Sequence, residues 1–335
     1  MAKMVFARSY KHQERTDRLI RFIEGLALYR GPATIFLVKV LVSGSTGLIG
    51  SALAVHLTQK GEQVVRLVRA KSTGNSEILW NPVARVLDVK NLGGFDAVVH
   101  LAGDPIAKGR WTPEKKASIR DSRIKGTRFL AESLAKLSNP PKAFACASAI
   151  GIYGNRADEG LTEESPPGVG FLAEVGKEWE KACEPATTRG IRVVHLRFGI
   201  VLSPHGGALK LMLPPFQFGL GGKLGSGMQW MSWVSIDDVV GAIHHVLTNE
   251  SLRGPVNVVA PNPVTNLEFT KRLGRVLGRP TLFLVPAFAV RLLFGQLADE
   301  ALLASARVEP KRLKSTGYRF RYPELETALR DLLGR

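Results

Sequence analysis

Cysteine is nearly absent. Cys146 and Cys183 are the only two in 335 residues and have no metal- or redox-type spacing, which excludes a disulfide framework and a cysteine-based zinc site. No apolar run reaches the roughly 18 residues of a membrane span. The greasiest stretch, LFLVPAFAVRLLFG at 282–295, is interrupted by Pro286 and Arg291 and reads as a buried turn and helix. Acidic residues are outnumbered by basic ones, 29 against 46, for a net charge of +17. That excess is dispersed, densest in the first 38 residues and from Lys271 to Arg321, and no basic stripe with interleaved aromatics accompanies it. A nucleic-acid reader is not expected, and the charge is read as a surface that attracts an anionic ligand. His100 and His195 sit in apolar strands, and the His244-His245 pair has no further ligand at metal spacing, so no metal site is expected. These absences predict a soluble, cytoplasmic protein without a membrane span.

What is present is an alternation of apolar runs with longer amphipathic segments. The runs are FLVKVLVSG, EQVVRLVR, FDAVVHLAG, KAFACASAIGIYG and IRVVHLRFGIVLS. Between them, patterns such as Leu130, Leu134 and Leu137 place leucines on one helix face. Strands buried on both faces and separated by helices predict an α/β fold with a doubly wound parallel sheet of the Rossmann type. After Ser203 the alternation lapses into PHGGALKLMLPPFQFGLGGKLGSGMQWMSW, which is expected to form loops over a site.

The stretch KVLVSGSTGLIGSAL, residues 39–53, carries glycines at an interval of three directly after a strand pattern. In a strand-turn-helix unit Gly44 makes the tight turn, Gly47 lets a pyrophosphate approach, and Gly50 lets the helix pack on the strand. The predicted ligand is a dinucleotide. At the end of the second strand, RLVRAKS holds Arg69 and Lys71 and no acid to bind ribose hydroxyls, which favours the 2'-phosphate of NADP(H) over NAD(H).

The motifs GSTGLIG, DAVVHLAG, SAIGIYG and WVSIDDVVGAI resemble, in that order, those of the extended short-chain dehydrogenase/reductase superfamily. HLAGDPI followed by GRW, IRDSRIKGTRFL, GSGMQWMSWVSIDD and RVEPKRLKSTGYRFRYPELETALRDLL are similar to its atypical, epimerase-like subfamily, from about residue 38 to the end. Members are labelled nucleoside-diphosphate-sugar epimerases or cell-division inhibitors, and relatives are connected with plastid division. The resemblance implies a cofactor lobe over 38–203 and 234–262, with a substrate lobe and C-terminal domain over 204–233 and 263–335. It implies cofactor contacts at Gly44, Ser45, Thr46, Gly47, Leu48, Ile49, Gly50, Arg69, Lys71, Leu101, Ala102, Gly103, Arg123 and Val201. Arg123 stands where related enzymes carry an Asn near the cofactor.

The superfamily's catalytic pattern is damaged. A Tyr four residues before a Lys is expected on one helix face, and here Lys177 is preceded by Ala173. Four residues before Tyr153, where a Ser or Thr is expected, stands Ala149; the hydroxyl belongs to Ser148. Ser148, Tyr153 and Lys177 remain as catalytic candidates. Asp104, Arg110, Trp111, Gln229, Trp230 and Trp233 are the substrate candidates, the aromatic faces suiting a planar or sugar-like molecule. Two readings follow: an NADP(H)-dependent oxidoreductase or epimerase acting on a nucleotide sugar or another small carbonyl or hydroxyl compound, or a catalytically weak or silent NADP(H)-binding sensor or scaffold, linked to cell division. Residues 1–37 read as a basic extension or a remnant of a fused upstream domain, without chemistry of their own.

Overall fold

The computed structural model describes residues 38–69, 76–88 and 92–335; Lys71 and the 1–37 segment lie outside them. Strand β1 (Lys39–Ser43) leads through the glycine turn into α1 (Leu48–Gln59), followed by β2 (Gln63–Val68), β3 (Glu77–Asn81) and β4 (Val86–Leu87). The chain then returns to β5 (Ala97–His100), α2 (Pro113–Ala135), β6 (Ala143–Ala149) and α3 (Phe171–Lys181). It continues through β7 (Arg192–Phe198), α4 (Gly207–Gln217), α5 (Ile236–Thr248) and β8 (Gly254–Val258), and ends with α6 (Asn266–Leu277), α7 (Ala287–Phe294) and α8 (Leu325–Leu332).

The sheet order is β8-β7-β6-β5-β1-β2-β3-β4. Every pairing is parallel except β3 with β4. Because β1 pairs β2 on one side and β5 on the other, the strand order reverses between β1 and β5. In α/β sheets ligands bind outside the carboxyl ends of the strands at such a reversal. β5 is buried at every residue and β6 at all but Ala149, as expected of strands covered on both faces. Helix starts follow local chemistry: Thr112 caps α2 with Pro113 behind it, and Thr265 and Glu268 close a capping box on α6.

Two large cores result. The first surrounds the sheet; the second gathers Leu202, Leu209, Phe216, Trp233, Phe269, Leu273, Leu325 and Leu329 beneath α4, α6 and α8. Two expectations are corrected. The stretch after Ser203 contains the helix α4, whose signal is masked by Pro214 and Pro215 in its last turn. The 282–295 stretch, expected as a buried turn and helix, forms a short strand (Phe283–Val285) followed by the helix α7, and it is exposed: Leu282 and Phe288 are 88 % and 72 % accessible.

Candidate dinucleotide and active site

The turn after β1 is shaped by two demands of the protein's own backbone. Gly44 has φ +68°, and a Cβ there would lie 2.7 Å from the Leu101 carbonyl carbon; a Cβ on Gly50 would lie 2.2 Å from the Gly44 oxygen. Gly47 is different. It has φ −78°, is exposed, and a Cβ would meet only the Gly44 oxygen at 3.3 Å. Its missing side chain therefore keeps space open outside the protein, at the start of α1. No side chain caps that helix and no acid stands in its first turn, so its terminal N–H groups suit an anion. This cradle fits a pyrophosphate. Ser45 is buried in the turn, Thr46 is exposed, and Ile49 packs against the main core.

The opposite wall is Leu101–Gly103, joined to the turn by a buried pair. Ser43 Oγ meets His100 Nδ1 at 2.5 Å and accepts from Leu101 N at 3.2 Å. Burial pushes the His100 pKa down to about 4, and its Nε2 has no partner. Arg123 reaches the same wall: its guanidinium lies against Gly103, donates from Nη1 to the Asp104 carbonyl at 3.0 Å and stacks over Trp179. Burial lowers the Arg123 pKa to about 10, Asp104 opposing that shift. Arg69 follows β2 at its carboxyl end, exposed and without an ion pair among the described residues. A second uncapped helix start meets the first, because Gly206 and Gly207 of α4 lie against the Leu48 side chain, with the Val201 carbonyl beside Gly207. The residues HGG ahead of ALKLML were the available signal for it.

Of the catalytic candidates, Ser148 and Tyr153 share one buried network and Lys177 stands outside it. Ser148 Oγ donates to Glu180 Oε1 at 2.8 Å, and Arg197 pairs with both Glu180 oxygens at 2.8 and 2.9 Å. Tyr153 is fully buried; its hydroxyl donates to Asn257 Oδ1 at 2.7 Å and accepts from Arg197 Nη1 at 2.9 Å. Burial would raise the Glu180 pKa, but Arg197, His195 and Ser148 together hold it below the usual carboxylate value. Tyr153, expected near the reacting atoms, thus belongs to a buried network built on β6, α3, β7 and β8. Lys177 is exposed, whereas Ala173 is completely buried and Ala149 is exposed at the end of β6.

The substrate candidates are likewise dispersed. Asp104 is held by Lys115 at 2.6 Å and Ser118 at 3.0 Å, and its pKa is lowered by those partners against its own desolvation. Trp111 packs edge-on against Phe171 at 5.2 Å, and Arg110 donates to the Leu292 carbonyl. Gln229 is buried, its amide donating to the Leu224 and Leu302 carbonyls. Trp230 lies under the Arg307 guanidinium at 4.7 Å. Trp233, expected as a stacking face, sits in the second core, with Nε1 donating to the Asn262 carbonyl. Sequence reasoning missed Glu300, whose carboxylate accepts from Phe171 N and Leu172 N at 2.9 and 3.1 Å and so caps α3. An open hollow of about 560 Å³ lies beside it, between Lys116, Arg120, Glu174 and Glu300.

Comparisons with known proteins find relatives over most of the chain. The NAD dependent epimerase/dehydratase family matches residues 40–259, and a domain of unknown function (DUF1731) matches residues 285–332. An epimerase family protein of Mycobacterium bovis is 44% identical over 290 residues, covering 87% of this chain and 96% of the relative. The crystal structure of human epimerase family protein SDR39U1 with NADPH superposes with a TM-score of 0.82 at 34% identity, covering 89% of this chain and 99% of that one. A nucleoside-diphosphate sugar epimerase from Corynebacterium glutamicum gives 0.74 at 37% identity, covering 89% of this chain and 58% of that longer one.

Proposed function

The chain belongs to the NAD-dependent epimerase/dehydratase family, and on that premise we propose that it is an NADP(H)-dependent oxidoreductase or epimerase acting on a small carbonyl or hydroxyl compound. The observation that carries the coenzyme choice is Arg69 at the carboxyl end of β2, where a coenzyme without the 2'-phosphate would need an acid. The N–H groups at Gly47 to Gly50 receive the pyrophosphate, Arg69 and Lys71 the 2'-phosphate, and Arg123 a ribose or phosphate oxygen beside Gly103. The human relative solved with NADPH supports the same preference. When bound, the nicotinamide supplies or accepts a hydride.

The chain's own contribution to proton movement is small on this reading. Ser148 has one proton, already donated to Glu180, so it offers a substrate oxygen no hydrogen. Of the three catalytic candidates only Lys177 is exposed, and we assign it to the coenzyme ribose. The alanines at 149 and 173 favour a second reading, a coenzyme-binding sensor with little turnover. Two free, buried cysteines suit a reducing cytoplasm.

The experiment is a calorimetric titration of NADPH and NADH into the parent chain and Arg69→Ala, followed by a screen of NADPH consumption against ketones, quinones and nucleotide sugars. NADPH is expected to bind roughly 10- to 100-fold more tightly than NADH, as for one or two charge-assisted contacts, with Arg69→Ala narrowing that gap. Equal affinities refute the coenzyme assignment. Tight NADPH binding with no turnover of any class refutes the enzyme reading and leaves the sensor.

A further inference from the structure

The exposed apolar surface of this chain is concentrated. Eleven of the sixteen exposed large hydrophobics among the described residues fall in two segments, four in 211–228 and seven in 282–294. The segments form one surface, since Gly222–Leu224 pairs in parallel with Phe283–Val285 and Gly225 lies against Ala287. Among the described residues no further strand pairs with Phe283–Val285, so its outer edge is open. Phe218, Leu282, Phe288 and Leu292 are 80, 88, 72 and 70 % exposed. Single exposed leucines are ordinary, but a contiguous patch of this kind marks an interaction surface.

Charge selects the occupant. Residues 207–228 and 279–294 contain Lys210, Lys223, Arg279 and Arg291 and no aspartate or glutamate. Of these cations only Arg291 has an ion-pair partner among the described residues, the half-exposed Asp299. A second copy would set these cations against themselves in a chain of net charge +17. An anionic bilayer surface answers both features: phenyl and leucyl side chains enter the acyl boundary while lysines and arginines meet lipid phosphates. We propose that the face built from Phe218, Leu220, Leu282–Leu284 and α7 docks the protein on anionic lipid. The contact is peripheral, since no helix among the described residues is long and apolar enough to cross a membrane.

The test is co-sedimentation of the full chain with phosphatidylcholine vesicles, with and without phosphatidylglycerol, at low and high salt. Binding is expected only to the anionic vesicles, released by salt. Phe288→Glu with Leu292→Glu is expected to weaken it about tenfold or more, by removing two apolar insertions and adding two like charges to the lipid. NADPH affinity of the double variant is expected to equal the parent's, which confirms that it is folded. Absent binding, equal binding to neutral vesicles, or parental binding by the double variant overturns the proposal. So does a dimer in solution that the double variant dissociates, which assigns the face to a second copy.

Discussion

His100 joins the two walls of the candidate dinucleotide site, and acidification is expected to act through it. Its ring has Nδ1 on Ser43 Oγ and Nε2 facing a core that includes Trp80 and Phe144, with no acceptor. An imidazolium donates from both nitrogens and would need an acceptor at each, and Nε2 has none, so the buried ring resists protonation in the native state. A fall from the ordinary 6.5 to about 4 corresponds to about 3 kcal/mol. The sign follows from proton counts. Between those values the unfolded chain binds the proton and the native chain does not, so stability is full above 6.5 and is lost as pH falls towards 4. Urea unfolding of the parent and His100→Leu, at pH 7 and pH 4.5, measures it. His56, His195, His244 and His245 are shifted the same way by burial, but they remain in both proteins and cancel in the comparison. The parent is expected to lose about 2 to 3 kcal/mol more than the variant over that interval. Equal losses would show that His100 is not a buried neutral imidazole, and the account of the Ser43 pair would fail with it.

Two further outcomes follow from the buried network and the missing hydroxyl. Glu180→Ala leaves Arg197 buried without its carboxylate, which is expected to cost about 3 to 5 kcal/mol by chemical denaturation. A cost below about 1 kcal/mol would mean that the pair is solvated. Ala173→Tyr, which restores the superfamily's spacing before Lys177, is expected to destabilise by about 1 to 3 kcal/mol without creating activity, because Ala173 has no accessible surface into which a phenol could extend. A variant as stable as the parent that gains NADPH turnover would show an open pocket at that position.

Much of the candidate coenzyme site was legible from residue order. The glycine turn, the strand before it and the cation after β2 are properties of short segments, set by steric rules and spacings that near neighbours decide. The strands β3 and β8 were harder, since EILWN and GPVNV are short and carry little alternation. Tertiary structure alone decided which polar groups remain available for chemistry. Ser148, Glu180, Arg197, Tyr153 and Asn257 form one network only because parallel pairing sets β6, β7 and β8 side by side, and Ser43 meets His100 across 57 residues. Glu300 caps α3 from 129 residues away. Periodicity marks a face as apolar, whereas burial depends on whether another element packs on it. For that reason Trp233 lies in a core, while Phe288 and Leu292, apolar in the same degree, stand in solvent.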